Sequence, residues 1–328
     1  MENQSEYEIQ ILDGIEYRCV KSYDHNYVTH CKERWRDMNI LTMFLKEFKA
    51  YSEDYYRQAI TLGLIQVNYK KVTLDYILRN GDTITHTATR SEPPVFNRPI
   101  KIIHDSPNLL IVYKPASMPV HPSGAYYKNS MLYILQHEMG YKELHLIHRL
   151  DRVTSGIIVL TKNSRTAASL TGLFEKSSIK KYYLARVKGR FPTDSMEINE
   201  KILCVDHKNG VYKVDPSGKD SCTIVKHMFY DEETDESVVE CRLITGRTHQ
   251  IRVHLSYIGH PISNDICYGG QCSNPPIVPD AYYKLRFGDQ VVKLEKTSQL
   301  EIFLCSYRYI LTKNLDFSSP QPSWAQKT

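Results

Sequence analysis

"IHRLDRVTSGIIVLTKN", residues 147–163, sets a single carboxylate, Asp151, between Arg149 and Arg152 and follows it with a turn of small residues. The apolar run Ile157–Leu160 comes directly after. A solvated loop scatters its charges and avoids Ile-Ile-Val-Leu, so this run reads as a buried strand. The stretch therefore predicts a charged turn held against a sheet, the kind of place where sites are built.

Further apolar segments of strand length surround it. "IKIIHDSPNLLIVYKPA", "KKYYLARVKG", "CTIVKHMFY" and "SVVECRLITG" are rich in β-branched and aromatic residues, while "RTAASLTGLFEKS" reads as one helix. Strands outnumber helices and do not alternate with them, so the expected class is α+β with a mixed, mostly antiparallel central sheet. Three prolines in "RSEPPVFNRP", residues 90–99, predict an extended linker. The expected parts are an N-terminal extension over 1–35, a small domain over 36–96 and a larger one over 97–328.

In the small part, "NILTMFLKEFKA" puts Leu41, Phe44, Leu45 and Phe48 at helical spacing. A second helix follows, with Ser52 placed to cap its start and Gly63 to end it. "LIQVNYKKV" reads as two short strands about a turn, and "LRNGDTITHTA" as a turn and a strand. Lys46, Lys49, Arg57, Lys70, Lys71 and Arg79 lie on this module as candidate RNA contacts, against the plainer reading of a solvated basic face.

Composition narrows the function classes. The chain has 328 residues, 41% hydrophobic and 24% charged, with a formal net charge of +5. That is compatible with a polyanionic partner and specifies none. "MENQSEYEIQ" lacks the basic and apolar regions of a secretory signal, and no apolar run reaches the roughly 20 residues of a membrane span. The expectation is a monomer in the cytoplasm, with nucleus and mitochondrion as open alternatives, away from membranes. Cys19, Cys31, Cys204, Cys222, Cys241, Cys267, Cys272 and Cys305 form no CxxC, so they are read as free thiols in a reducing compartment. No GxGxxG follows a strand and no GxxxxGK[ST] occurs, so no nucleotide cofactor is implied.

Three constellations carry the chemistry. Asp151 beside arginines should stay ionised, which suits nucleophilic or electrostatic work better than proton donation. In "KKYYLARVKG", Lys181, Tyr183, Ala185 and Val187 share one strand face. In "TGRTHQIRVHLSYIGHPISNDICYGG", residues 245–270, Arg252 is a guanidinium able to pair with a carboxylate. His249 and His254 lie five apart, whereas helical metal pairs prefer four, so no metal is expected.

Together, "YKPASMPVHPSG", "HRLDRVTSG", "KYYLARVKG" and "TGRTHQIRVHLSYIGHPI" resemble, in order and spacing, the RluA-type family of RNA pseudouridine synthases. The amino-terminal segment resembles the small αL-type RNA-binding domain found also in ribosomal protein S-four. The resemblance implies a cofactor-free isomerisation of a flipped-out uridine, with Asp151 as the essential aspartate, Tyr183 as the active-site tyrosine and Arg252 as the basic partner of the aspartate. It implies that Arg149 fills the space the uridine leaves. His148, Thr154, Ser155, Lys114 and Pro115 fall on positions that shape the pocket. Asp151 either attacks the nucleoside or assists ribose deprotonation. Tyr183 stacks on the uracil, with a share in removing the C5 proton left open. A dry pocket is expected behind Ile157–Leu160.

One departure is Asn264 in "GHPISND", where the family commonly has glycine. With "WRDMNI", "DYILRNGDTITH" and "SEPPV", it resembles the eukaryotic branch acting on uridines of the tRNA anticodon stem-loop. Ribosomal RNA is the rival substrate, and a catalytically silent RNA-binding protein the rival class. An aspartic hydrolase would need a second carboxylate and an Asp-Thr-Gly-like turn, which "DRVTSG" is not.

Overall fold

The computed structural model describes residues 6–48, 50–175, 178–207, 210–271 and 299–327; Lys49 and Cys272 lie outside them. The chain divides into two compact units, Met1–Val20 with Glu92–Thr328, and Lys21–Ser91. These cuts differ from the expected ones at 35 and 96. The first twenty residues supply a hairpin, Tyr7–Leu12 with Ile15–Val20, which joins Val95–Phe96 in a small sheet of the larger unit.

The expected linker is also corrected. Residues 92–96 are buried, and the Glu92 carboxylate accepts the backbone amides of Tyr127, Lys128 and Asn129. A carboxylate holding three amides pins a segment instead of leaving it extended in solvent.

In the Lys21–Ser91 unit, two helices accompany a four-stranded sheet in the order Tyr23–His30, Thr83–Arg90, Ile65–Val67, Lys70–Lys71, antiparallel throughout. The helix Ile40–Glu47 is capped by Asn39, whose side chain accepts from the Thr42 amide at 2.7 Å. Glu53–Leu62 is capped by Ser52 and ends at Gly63, with φ +77. The first helix buries Ile40, Leu41, Met43 and Phe44; Leu45 is only partly buried and Phe48 is exposed, so the apolar face lies one position earlier than the spacing predicts.

The larger unit is built on a sheet running Ser195–Ile198, Thr223–Asp231, Glu236–Leu243, Lys180–Lys188, Leu304–Thr312, Ser155–Thr161, Leu109–Lys114, Lys101–Asp105. Every pairing along it is antiparallel except that between Ser155–Thr161 and Leu304–Thr312. The fold is thus α+β with a mixed, mostly antiparallel sheet. Along Ser155–Thr161 the side chains alternate between two cores. Ile158 and Leu160 join the large one with Tyr183, Ala185 and Val239, and Ile157 and Val159 pack with Leu170 of the helix Ser164–Glu175. Both faces are covered, which is why the strand is apolar at every position from 157 to 160. No helix among the described residues is long and apolar enough to cross a membrane.

The parallel contact is tight. Gly156 has φ +122, and a Cβ placed there would lie 2.2 Å from the Ser306 carbonyl oxygen. Gly156→Ala should therefore destabilise the protein by about 3 kcal/mol or more. Urea unfolding of the purified variant checks this; an unchanged midpoint would mean that the two strands do not meet in this register.

Candidate active site

Asp151 sits in a turn that leads into Ser155–Thr161. The Thr154 amide donates to the Asp151 carbonyl at 3.1 Å, and the Ile302 amide donates to the Val153 carbonyl at 3.0 Å. Lys114, fully buried, donates to the carbonyls of Pro115, Met118 and Arg152 and ties the 115–118 loop to this turn. Burial pushes the Lys114 ammonium down to about 7, yet all three of its protons have acceptors, which favours the charged form. Arg152 does not serve Asp151. It donates to the Gln299 carbonyl at 2.7 Å and lies 5.6 Å from the centre of the Tyr126 ring.

The partner of Asp151 comes from the helix Gln250–Tyr257. Arg252 Nη1 donates to Asp151 Oδ2 at 3.2 Å. The same guanidinium binds Asp265 with two hydrogen bonds, Nε to Oδ2 at 2.6 Å and Nη2 to Oδ1 at 2.8 Å. Asp265 is fully buried and Arg252 is 5% exposed. Burial works against the charge on Arg252, but the bonds to Asp265 outweigh it and the net shift is upward.

His249 caps the same helix in a left-handed conformation, φ +57, strained for a side chain other than glycine. The strain aims its Nε2 at Asp151 Oδ2, 3.4 Å away, while Nδ1 lies 2.7 Å from the Tyr268 hydroxyl. That hydroxyl accepts the Tyr212 amide at 3.3 Å, so its own proton is assigned to Nδ1 and the imidazole proton to Nε2. Burial holds the His249 pKa below its usual value, against the opposing pull of Asp151. Both contacts fall on Oδ2 of Asp151, and Oδ1 has no hydrogen-bond partner among the described residues. His254 points elsewhere, to Thr223, Ser221 and the Glu200 carbonyl, so the two histidines do not converge.

Tyr183 is 6% exposed and faces the same cavity of ≈ 250 Å³ as Asp151, Thr154, Leu243, Ile251, Arg252 and Leu304. Burial raises its pKa, so it is a neutral phenol. Its hydroxyl lies 3.1 Å from that of Tyr309, which lies 3.5 Å from His148 Nδ1. His148 Nε2 accepts the Val159 amide at 3.0 Å, in the gap where pairing with His145–Leu146 stops at Leu160. Followed from that amide, the donors run His148 Nδ1–H to Tyr309 and Tyr309 O–H to Tyr183, which leaves the Tyr183 proton for the cavity. His148 stacks against both Phe174 and Tyr309, with ring centres 5.0 Å away, and burial pushes its pKa down to about 3.

Of the predicted residues, the structure gathers Asp151, Tyr183, Arg252, Arg149 and Thr154 at one cavity. Arg149 is exposed at its edge and also lines a neighbouring cavity of ≈ 620 Å³ that shares Asp151 and Arg252. His148, Lys114, Pro115 and Ser155 are not on the wall of the ≈ 250 Å³ cavity. Ile157–Leu160 do not line it either; the apolar wall is Leu150, Leu243, Ile251 and Leu304. Asp265, His249, Tyr309 and Tyr268 were not predicted. A count of donors is the one signal for Asp265: a single carboxylate cannot satisfy the five N–H groups of a buried guanidinium. Asn264 accepts the Phe303 amide at 2.7 Å and donates to the Glu301 carbonyl at 3.2 Å, work that glycine cannot do.

Fold and site together set an arginine-held carboxylate beside a buried phenol, on a mixed sheet. The profile described as RNA pseudouridylate synthase matches residues 108–257. A human protein named pseudouridylate synthase RPUSD2 is 40% identical over 259 residues, 79% of this chain and 47% of that protein. A Saccharomyces cerevisiae mitochondrial tRNA pseudouridine(32) synthase is 39% identical over 267 residues, 80% of this chain and 57% of the relative. The tRNA pseudouridine(31) synthase of the same yeast is 31% identical, covering 90% of this chain and 80% of that one. The solved structure of human RNA pseudouridylate synthase domain containing 1 superposes with a TM-score of 0.51 at 22% identity, over 68% of this chain and 84% of that one, a likeness of fold. The chain belongs to the RluA-type RNA pseudouridylate synthase family. It spans about half the length of the first two relatives.

Two outcomes test this geometry. Asp265→Asn should cost roughly 3 kcal/mol, because Arg252 loses its buried counter-ion, whereas Asp151→Asn should cost less than about 1 kcal/mol. Urea midpoints compare them; equal losses would remove Asp265 from its anchoring role. His148 has a depressed folded pKa, so its contribution is complete above about pH 6.5 and is lost as pH falls towards 3. Between those limits its contribution falls by about 1.4 kcal/mol per pH unit, and His148→Gln should flatten that slope. Wild type and variant melting in parallel from pH 6.5 to 4.5 would contradict the neutral, half-buried imidazole.

Proposed function

We propose that this chain is an RNA pseudouridine synthase that acts on a uridine of the tRNA anticodon stem-loop, at position 32, as the name of its yeast relative describes for that protein. The observation that carries the reading is the meeting, in one cavity, of Asp151, held by Arg252 from 101 residues away, with the buried phenol of Tyr183. The reaction breaks the C1′–N1 bond, turns the uracil and rejoins it through C5; the C5 proton leaves and N1 gains one, so atoms balance without an external group. The uridine has to leave its stack, at a cost of a few kcal/mol that an irregular loop lowers. Arg149, exposed at the rim, takes the vacated position.

Arg252 and His249 both sit on Oδ2 and leave Oδ1 to meet the sugar. Attack on the nucleoside and assistance to ribose deprotonation both use that free oxygen. Tyr183 stacks on the uracil. As a neutral phenol it is a poor acceptor for the C5 proton, which favours the positioning role. The apolar wall keeps the detached base from solvent.

The Lys21–Ser91 unit is proposed as the S-four-like RNA-binding module; its helix pair and hairpin support that reading. Lys46, Lys70, Lys71 and Arg79 are exposed and free to meet phosphates, while Arg57 is drawn to Glu53 at 2.6 Å. The protein is proposed to act as a cytoplasmic monomer.

With uridine-C5-tritiated tRNA, wild type should release tritium and Asp151→Asn none above background, although the variant stays folded. Mapping pseudouridine by carbodiimide-block primer extension in cells lacking this protein should show loss in the anticodon stem-loop. Loss confined to large-subunit ribosomal RNA would overturn the tRNA assignment, and tritium release undiminished in Asp151→Asn the mechanism.

A further inference from the structure

A further cavity, of ≈ 510 Å³, adjoins the one that holds Asp151; the two share Arg149, Tyr183, Leu243, Gly246 and Arg247 in their walls. Its distinctive residue is Lys181, 8% exposed, at the head of the strand that carries Tyr183. Among the described residues no carboxylate pairs with this ammonium. Its aromatic neighbour is Phe174, whose ring centre is 5.8 Å away, a weak partner at that range. Burial lowers its proton affinity and no acid restores it. A Cβ on Gly246 would lie 3.5 Å from Nζ, so the ammonium rests against the backbone of the 245–247 loop, which walls both cavities.

A buried cation with no counter-ion is costly, and such a group is tolerated when its anion arrives with a ligand. Arg149 and Arg247, both exposed, put two more cations on the same wall. Arg247 spends Nε on the Asp220 carbonyl, 3.0 Å away, which holds its side chain near the rim. The chemistry is that of an oxyanion site: one buried ammonium for charge and two guanidinium groups at the mouth.

We propose that this cavity binds one phosphodiester of the RNA strand next to the flipped nucleotide, with Lys181 as the buried contact and Arg149 and Arg247 as the rim. The inference rests on the functional reading above, which brings a polyanion to the shared wall. Its consequence is a register device: the strand seats when a phosphate enters beside Tyr183, so the neighbouring uridine is the one presented to Asp151.

The test uses the full chain carrying Asp151→Asn, so that RNA is bound and not turned over, with and without Lys181→Met. Binding to a fluorescent tRNA anticodon stem-loop is read by anisotropy across a potassium chloride series. Lys181→Met should weaken binding about tenfold at a given salt. It should also make the log-log salt dependence shallower by about 0.7 to 0.9, the value of one phosphate contact. Lys181→Arg should restore both. Removing an unpaired buried charge breaks no native bond, so Lys181→Met should melt at or above the parent temperature. Should it not fold, Lys181→Gln takes its place. In the active chain, Lys181→Met should raise KM with little change in kcat, as for a contact made equally in ground and transition states. Unchanged affinity and slope in a folded variant would overturn the proposal. A parent that binds no RNA would instead defeat the functional reading. Inorganic phosphate then decides: stabilisation that depends on Lys181 supports the anion site alone, and its absence overturns it.

Discussion

A guanidinium taken out of water must be surrounded by acceptors, and Arg252 is bound from two sides by carboxylates on different parts of the chain. Asp265 supplies the bidentate bond in full burial, and Asp151 accepts the remaining edge from a half-exposed turn. One arginine against two carboxylates leaves a net negative charge in the trio. That surplus belongs to the site: Asp265 neutralises Arg252, so the residual charge rests on Asp151, where the cavity is. Any rearrangement that moved the helix Gln250–Tyr257 would strand a buried charge, so the ion pairs hold the geometry as well as the electrostatics.

The sheet supplies the rest of the frame. The Asp151 turn feeds the one strand that pairs in parallel with Leu304–Thr312, and Gly156 lets the two backbones meet within what would be a clash for any other residue. Leu304–Thr312 in turn pairs with Lys180–Lys188, which carries Tyr183, with a bulge between Tyr182 and Tyr183. The strand that the Asp151 turn enters and the strand of Tyr183 are therefore two apart in the sheet, joined through a third that lends Tyr309 as a hydrogen-bond partner. His148 finishes the frame by accepting the Val159 amide where its own strand pairing ends.

What could be read from the sequence follows from how local each signal is. The helix caps Ser52 and Gly63, the buried strand at Ile157–Leu160 and the strand character of 180–188 are written within a few residues of where they act, and the structure carries them. The meeting of Asp151 with Arg252 came through family likeness together with the logic that a buried guanidinium seeks a carboxylate. Asp265 escaped because its letter stood in "GHPISND" without an assigned partner, and partners thirteen residues apart across a turn leave no periodicity. His249 was weighed as half of a metal pair, whereas its role depends on a left-handed backbone that a residue type does not announce. The buried "SEPPV" segment and the N-terminal hairpin are non-local as well. Arg18 reaches Asn129 and Glu138 more than a hundred residues away, a pairing that no window of sequence contains.

Two causes shift the titratable neighbours of the site. Burial depresses His249 and His148, burial raises Tyr183, and the bonds from Asp265 raise Arg252. Around Asp151, burial thus favours the uncharged forms of His249 and Tyr183, while the carboxylate bonds keep Arg252 charged. The proposed isomerisation releases the C5 proton and returns one to N1, so it consumes no net proton. What it needs is a carboxylate that stays in place with one oxygen free and a phenol that keeps its proton. It also needs a dry wall around a base that is for a moment bonded to nothing.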